Sequence, residues 1–211
     1  MKKKIFYRLT IILSLIFLFL ITYASTIGLK TNRFNSQIIS QIKNIDPNID
    51  AKINDVSIRL NLIKFTLDVK TVGTDLIYKN KIIKIENIKS KISLKSVVNN
   101  QFALSEILIS TKSLPIKDVV AFIRLLKNDP KLFIVQQFIT SGFIVADIKL
   151  NFNKFGKIKN NFKVNGLVND FKISLLDKKI SKLNFIFQIT NKEFIFNDIR
   201  FLLNNKSIIS P

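Results

Sequence analysis

Residue types that commonly carry out catalysis are scarce in this sequence. It contains no His and no Cys, so it lacks the commonest general base, the commonest metal ligand and a thiolate nucleophile. The 14 acidic residues are scattered: Asp50 with Asp55, and Asp170 with Asp177, fall near predicted turns and match no carboxylate dyad or metal-loop spacing. Asp147 falls on the polar side of a predicted strand, and the five glycines lie too far apart for a phosphate-binding loop. We therefore predict a protein that is not an enzyme, with no catalytic residue, no metal site and no cofactor.

Apolar binding is the chemistry that the sequence does offer. Apolar side chains recur at every second position in many segments, which predicts β-strands with one apolar face. If part of that face stays uncovered, it can hold lipid acyl chains without any catalytic residue. The residues that we expect to line such a groove are Val56, Ile58, Leu60, Leu62, Phe65, Leu67, Val69, Ile144, Ala146, Ile148, Leu150, Phe152, Phe162, Val164, Val168, Phe171, Ile173, Phe185, Phe187 and Ile189.

Turns have to connect these strands. The apolar residues change from even-numbered to odd-numbered positions near Ile63-Lys64, which requires a turn or a bulge there. We also predict turns at Gly73, at Asn99-Asn100 and over 153–161, and a break in phase at Asn169-Asp170. The pattern predicts a mainly β fold over residues 48–211, a curved antiparallel β-sheet forming a groove-like meander.

Residues 115–140 interrupt the strand pattern. Helical spacing over 116–127 follows Pro115, which is well placed in the first turn of a helix. Asn128-Asp129-Pro130 ends this helix and starts a second one over 131–140. We predict a short helical hairpin inserted in the sheet, which either plugs one end of the sheet or acts as a gate or docking element.

A shorter amphipathic helix is predicted within residues 30–47. Thr31 or Asn32 is a suitable N-cap, and Asp46-Pro47 stops the helix. Its apolar stripe either caps the domain core or lies on the membrane surface. The residues of that stripe, spaced by four and three, are Phe34, Ile38, Ile42 and Ile45.

The N-terminal sequence predicts a membrane anchor. Residues 9–29 carry no charge and are long enough to cross the hydrocarbon core of a bilayer as a helix. The cations before them predict a cytoplasmic tail over 1–8, a single transmembrane pass and export of residues 30–211. The alternative is a cleaved signal peptide, because Thr22-Tyr23-Ala24 offers small residues near a cleavage position. The cations that set this topology are Lys2, Lys3, Lys4 and Arg8.

The net charge of +20 raises the question of nucleic-acid binding. The cations are mostly lysines spread singly among many Ile, Asn and Phe residues, a composition typical of an AT-rich coding sequence. We therefore expect no nucleic-acid partner. Exposed lysines close to an anionic lipid surface would still be attracted to it, by about 1 kcal/mol each.

Two functions are compatible with the sequence, and they differ in whether the apolar face of the sheet is covered. The two helical segments together are too small to bury an apolar face of eight or so strands, so the sheet either curls on itself or leaves part of the face open. An open face predicts a protein that binds and transfers lipid. The alternative is a membrane-tethered structural or envelope-assembly domain with a closed core and a protein partner at its open edge.

Four parts of the sequence resemble AsmA-like proteins, the bridge-like lipid-transfer family that includes TamB and YhdP. They are the charged N-terminus with its anchor, the amphipathic segment leading into Asp46-Pro47-Asn48, residues 93–114 (SLKSVVNNQFALSEILISTKSL) and residues 142–168 (GFIVADIKLNFNKFGKIKNNFKVNGLV). The resemblance implies an anchor in a bacterial inner membrane, a periplasmic β-groove with an apolar floor, and phospholipid transport in outer-membrane biogenesis. Family members usually have several hundred residues, whereas eight strands extend only about 40 Å. We therefore expect an N-terminal portion, or a short member, whose last strand offers an edge for chain continuation or a protein partner.

Overall fold

The uncharged segment after Arg8 folds as a helix, α1 (Lys2–Thr26), in the computed structural model of the protein. Residues Lys4–Thr26 are long and apolar enough to cross a membrane, and none of their most apolar 18-residue window is buried against the rest of the protein. Gly28 ends the helix: its N–H and that of Ile27 donate to the carbonyl of Tyr23, and its φ of 73° is one that glycine adopts easily. The helix is therefore shorter than predicted at its C-terminal end, because Leu29 belongs to the first strand.

The structure describes residues 2–32, 35, 36, 39, 43, 48–78, 81–99, 101, 103–127, 130–175 and 178–210. Within these residues it has twelve strands, which are β1 (Leu29–Thr31), β2 (Ile49–Lys52), β3 (Asp55–Asn61), β4 (Thr66–Tyr78), β5 (Lys81–Ser93), β6 (Leu104–Thr111), β7 (Leu114–Pro115), β8 (Ile139–Asn151), β9 (Lys163–Leu175), β10 (Lys178–Thr190), β11 (Phe194–Leu203) and β12 (Lys206–Ser210). Three further helices are α2 (Leu94–Val98), α3 (Ile116–Lys127) and α4 (Pro130–Phe138).

All of these strands belong to one antiparallel sheet that is open rather than closed. The strand order is β1-β3-β4-β5-β6-β8-β9-β10-β11-β12, with β2 beside β4 and β7 beside β8. The predicted fold class, an antiparallel sheet behind an apolar N-terminal helix with a short helical insertion, is confirmed. The last described strand is β12, which we did not predict; it pairs with β11, so β12 forms the edge of the described sheet.

The helical hairpin lies between β7 and β8, where α3 and α4 occupy the predicted region. The amphipathic helix predicted within 30–47 lies mostly outside the described residues. This includes its whole apolar stripe: Phe34, Ile38, Ile42 and Ile45.

A line of irregular residues crosses the sheet, and the apolar side chains change phase at it. On β4 the inward positions are odd-numbered up to Thr71 and even-numbered from Thr74, because Gly73 between them has a φ of 63°. Comparable breaks in the other long strands keep the apolar residues on one face of the sheet, and such bulges also bend strands. We call this the bulge line; it consists of Gly73, Glu86, Gly142, Asp170, Lys182 and Asp198.

Two sequence predictions are corrected at the bulge line. Gly73 lies inside β4 and makes no turn, so residues 66–78 form one strand of 13 residues. The phase break at Asn169-Asp170 is a bulge inside β9. The predicted turns at Ile63-Lys64 and over 153–161 are present.

The bulge line divides the sheet into two halves. Because α1 leads into β1 and β1 is antiparallel to β3, the end of α1 lies at the same end of the sheet as the β3–β4 turn. Following the strand directions, α2, the β8–β9 loop and the β10–β11 turn lie at this end too, while α3 and α4 lie at the other. We call the two parts the anchor half and the hairpin half.

Candidate functional site

One face of the sheet is largely apolar. Strand pairing places inward residues side by side, as in Ile148 with Val164 and Phe187 with Phe196. The described strand residues that share this face in the anchor half carry no charge. They are Ile58, Leu60, Leu67, Val69, Ile88, Ser90, Ile92, Ile107, Ile109, Ala146, Ile148, Leu150, Val164, Gly166, Val168, Phe185, Phe187, Ile189, Phe194 and Phe196.

The hairpin half of this face is covered by α3. The amphipathic pattern of this helix turns Val119 and Phe122 onto a cluster of buried residues formed by Ile83, Ile85 and Leu114. The ring of Phe122 also meets Tyr78 edge to face, with 6.0 Å between ring centroids. On its other side α3 packs Ile116 and Val120 against Ile139, Ala146 and Val168. The helix α3 thus covers this face over β5, β7, β8 and the adjoining part of β9.

Only part of the anchor half of the same face is open to solvent, because residues next to the bulge line, such as Ala146 and Val168, belong to the packed clusters. Six of its residues are only half-buried and lie outside the three packed clusters that the described residues form. On β8 the open stretch begins beyond the buried Ala146 and, at about 3.3 Å per residue, is about 15 Å long. The six residues are Leu60, Leu67, Ile92, Ile107, Ile148 and Leu150.

The predicted groove residues divide according to this cover. Four of them are buried: Val56, Ala146, Val168 and Phe187. Leu62 and Phe65 are exposed in the β3–β4 turn, and the other fourteen are half-buried. The predicted set therefore shares one face, except at the turn and in the loop around Phe152 and Phe162. Its members on the open part of that face are Leu60, Leu67, Ile148 and Leu150.

An aromatic group forms the floor of the anchor half on β10 and β11. The ring of Phe185 lies 6.2 Å from that of Phe187 and 5.7 Å from that of Phe196, between centroids. Phe187 lies over Gly166 on β9, where any Cβ would collide with its ring. The absence of a side chain at Gly166 thus lets Phe187 lie flat and bury itself while its neighbours stay accessible.

The sequence analysis missed the residues that define the boundary of the open surface. The strand residues buried beneath α3 are Ile83, Ile85 and Leu114, and the α3 residues that cover them are Val119 and Phe122. None of these was among the predicted site residues. The helical spacing of α3 indicated an apolar stripe. It did not indicate which strands that stripe would cover.

The opposite face carries the charges. A cleft of about 400 Å³ there is lined by Arg59, Lys70, Lys89 and Lys91 and by two carboxylates, those of Asp68 and Glu106. Glu106 forms ion pairs with Lys91 and with Lys149, the latter at 3.0 Å between Nζ and Oε2. Partial burial raises the pKa of Glu106, but the hydrogen bonds and charges of the two lysines outweigh it, so the net pKa is lowered.

This face also carries an apolar patch that the sequence analysis did not identify. Val145, Leu167 and Ile186 are directly paired across β8, β9 and β10, and Phe143 lies next to them. All four side chains are exposed. Val145 lies on the same face of β8 as Asp147 and Lys149, where it is an apolar exception.

Two of the carboxylates that were considered for acid–base chemistry, Asp50 and Asp170, are paired with lysines. Asp50 binds Lys43 at 3.2 Å and Asp170 binds Lys172 at 3.5 Å, while Asp177 lies outside the described residues. The backbone N–H of Ala51 and then Lys43 lower the pKa of Asp50. Within the described part of the chain no three His, Cys, Asp or Glu residues come together as a metal site would require.

Comparisons of the chain with protein-family models, with curated proteins and with solved structures found no match.

Proposed function

We propose that this protein is a membrane-anchored lipid-binding protein that holds acyl chains on the open anchor half of its apolar face. The observation that carries the proposal is the uncharged, half-buried surface that lies outside the packed clusters in the anchor half. It is formed by Leu60, Leu67, Ile92, Ile107, Ile148 and Leu150. Apolar surface of this extent has a free-energy cost in water of roughly 25 cal/mol per Å², which an acyl chain would remove. The aromatic floor formed by Phe185 and Phe196 suits a flexible hydrocarbon ligand.

The proposed setting is a bacterial inner membrane, crossed once by α1 with the N-terminus in the cytoplasm. The cations Lys2, Lys3, Lys4 and Arg8 before the apolar segment favour this orientation. The sheet would then lie in the periplasm. The resemblance to AsmA-like proteins supports a contribution to phospholipid transport and outer-membrane biogenesis.

A structural or assembly role is the second candidate. It is favoured by the edge strand β12, on which Ile209 is exposed and could pair with a further strand. The closed core that we expected for this alternative is not what the sheet forms, since the sheet is open. An assembly role would therefore act through the edge and not through a sealed barrel.

Lipid occupancy tests the proposal directly. The full chain is purified from cells carrying a photo-crosslinking amino acid at Ile148, Val164 or Ile189, and bound lipid is identified by mass spectrometry. We expect crosslinks to phospholipid from all three positions. Gln188 is the matched control, because it neighbours Ile189 on β10 but points to the opposite face. Crosslinks only to protein, or equal lipid capture at Gln188, would contradict lipid binding on this face.

A further inference from the structure

The turns at the anchor end of the sheet expose large apolar side chains at their tips. Ile63 in the β3–β4 turn is 98% exposed, Val98 in α2 is 79% exposed, and Phe155 in the β8–β9 loop is 74% exposed. Phe194, which follows the β10–β11 turn, is 69% exposed. Four separate connections thus place an apolar residue at one end of the sheet, where polar turn residues would ordinarily be expected.

Lysines accompany these apolar tips. The described residues of the same four connections carry a single acidic side chain, Glu193, against six exposed lysines. One lysine, Lys154, lies over the ring of Phe155 at 5.1 Å from its centroid. Apolar tips among cations are typical of surfaces that enter the interface of an anionic bilayer. The lysines are Lys64, Lys95, Lys154, Lys157, Lys159 and Lys192.

The turns are built to hold their tips in place. Asn153 caps the β8–β9 loop by accepting hydrogen bonds from the backbone N–H groups of Phe155 and Lys157. Asn61 accepts from Lys64, and Thr190 accepts from Lys192 and Glu193. Because these side chains fix the turns locally, the apolar tips have no route back into the core and remain outside it.

The end of α1 brings this surface next to a bilayer. Only Ile27 and Gly28 separate the helix from β1, so the sheet begins within a few residues of the place where the chain leaves the membrane. Gly28 also lies against the carbonyl of Ile58, where a Cβ would come within 2.8 Å of the oxygen. This contact joins the helix end to β3 at the anchor half.

We infer that the four connections at the anchor end dock on the bilayer that α1 spans, with Ile63, Val98, Phe155 and Phe194 inserted among the headgroups of the leaflet facing the sheet. The occupant of the surface is an anionic phospholipid bilayer. The inference rests on the membrane anchoring that is part of the proposed function, and it does not depend on acyl chains occupying the open face. It places the open anchor half directly above the lipid.

The chain contains no Trp, so a single introduced Trp reports its own surroundings. The full chain is reconstituted in vesicles of phosphatidylcholine and phosphatidylglycerol whose acyl chains carry bromine, which quenches nearby Trp emission. We expect Ile63→Trp and Phe155→Trp to lose most of their emission and to shift to the blue. The control is Phe133→Trp on α4, which is half exposed at the opposite end of the sheet, about 40 Å away; its emission should stay unchanged.

A second set of variants tests the cause of docking. In the Ile63→Trp reporter, Phe155→Ser removes one apolar tip, and Lys154, Lys157 and Lys159 are replaced together by Gln. We expect quenching at Ile63→Trp to fall with either change, and the lysine effect to disappear in vesicles without phosphatidylglycerol. Unquenched tips, or equal quenching at Phe133→Trp, would overturn the inference. Unquenched tips together with lipid crosslinks at Ile148 would reject docking alone, whereas quenched tips without those crosslinks would reject acyl-chain binding alone.

Discussion

The hairpin half and the anchor half of the sheet have the same pattern of alternating apolar residues but differ in cover. In the hairpin half, Ile83 and Ile85 are buried beneath α3. In the anchor half, Ile92 lies on the same face of the same strand and remains half-buried. The difference shows that alternation reports which side chains share a face, while burial depends on where a helix packs on that face.

The largest effect is expected when one apolar side chain of β5 is shortened to Ala, first in the hairpin half and then, in a separate variant, in the anchor half. Ile85→Ala should lower the free energy of unfolding by about 3 kcal/mol, because it removes a buried side chain and leaves a cavity. Ile92→Ala should cost only about 1 kcal/mol, because its site is already partly solvated. Urea unfolding of the full chain in detergent, followed by circular dichroism, measures both. Equal costs would mean that the two halves are equally covered.

Gly142→Ala tests the bulge line that divides the halves. Its φ is 133°, and an added Cβ would come within 2.7 Å of the Cα of Phe171 on β9. We expect a loss of about 2 kcal/mol in the same unfolding experiment. Ser141→Ala is the neighbouring control and should have little effect, because the buried Ser141 hydroxyl makes no hydrogen bond with any residue that the structure describes. A neutral Gly142→Ala would show that the bulge tolerates a side chain.

Glu106→Gln tests the charged face behind the anchor half. The carboxylate accepts from Lys91 and Lys149, so its loss should lower the free energy of unfolding by about 1 kcal/mol near neutral pH. Because the folded-state pKa of Glu106 is lowered, its contribution is present above the unfolded-state pKa of about 4.3 and is lost as pH falls through the folded-state value. Unfolding measured from neutral to acidic pH should therefore show less acid sensitivity in Glu106→Gln. An unchanged pH dependence would contradict this assignment.

The smallest effect is expected from a substitution on β9 that lies on the charged face of the sheet. Leu167→Ser changes a side chain that is already 46% exposed, so the free energy of unfolding should change by less than about 0.5 kcal/mol. Its neighbour Val168 is 4% exposed and packs under α3, so Val168→Ser should be far more costly. A large loss for Leu167→Ser would indicate that the apolar patch on the charged face is covered in the purified protein.

Much of the fold could be predicted because its signals are local. The phase change at Ile63-Lys64 gave the β3–β4 turn, and Pro115 with helical spacing gave α3. Gly73 was misassigned because glycine permits both a turn and a bulge, and only pairing with β5 distinguishes them. Leu62 and Phe65 were placed on the apolar face because the alternation runs on into the turn.

The boundary of the candidate site could not be predicted, because it is a property of packing between distant segments. The contact of Val119 and Phe122 with Ile83 joins residues more than thirty positions apart. Buried and open strands have the same composition here, since both carry Ile, Leu and Val at alternate positions. The strand β12 was missed because its segment is only five residues long and carries two adjacent isoleucines that do not alternate.

The strand order has a consequence for how the protein is made. Nearly every strand pairs with a strand close to it in sequence, so contacts are local and each hairpin can form as soon as its own residues have emerged. A chain delivered through a membrane behind α1 would build its sheet strand by strand, always presenting the newest strand as an unpaired edge. The most aggregation-prone moment of its synthesis would come before α3 arrives to cover Ile83 and Ile85.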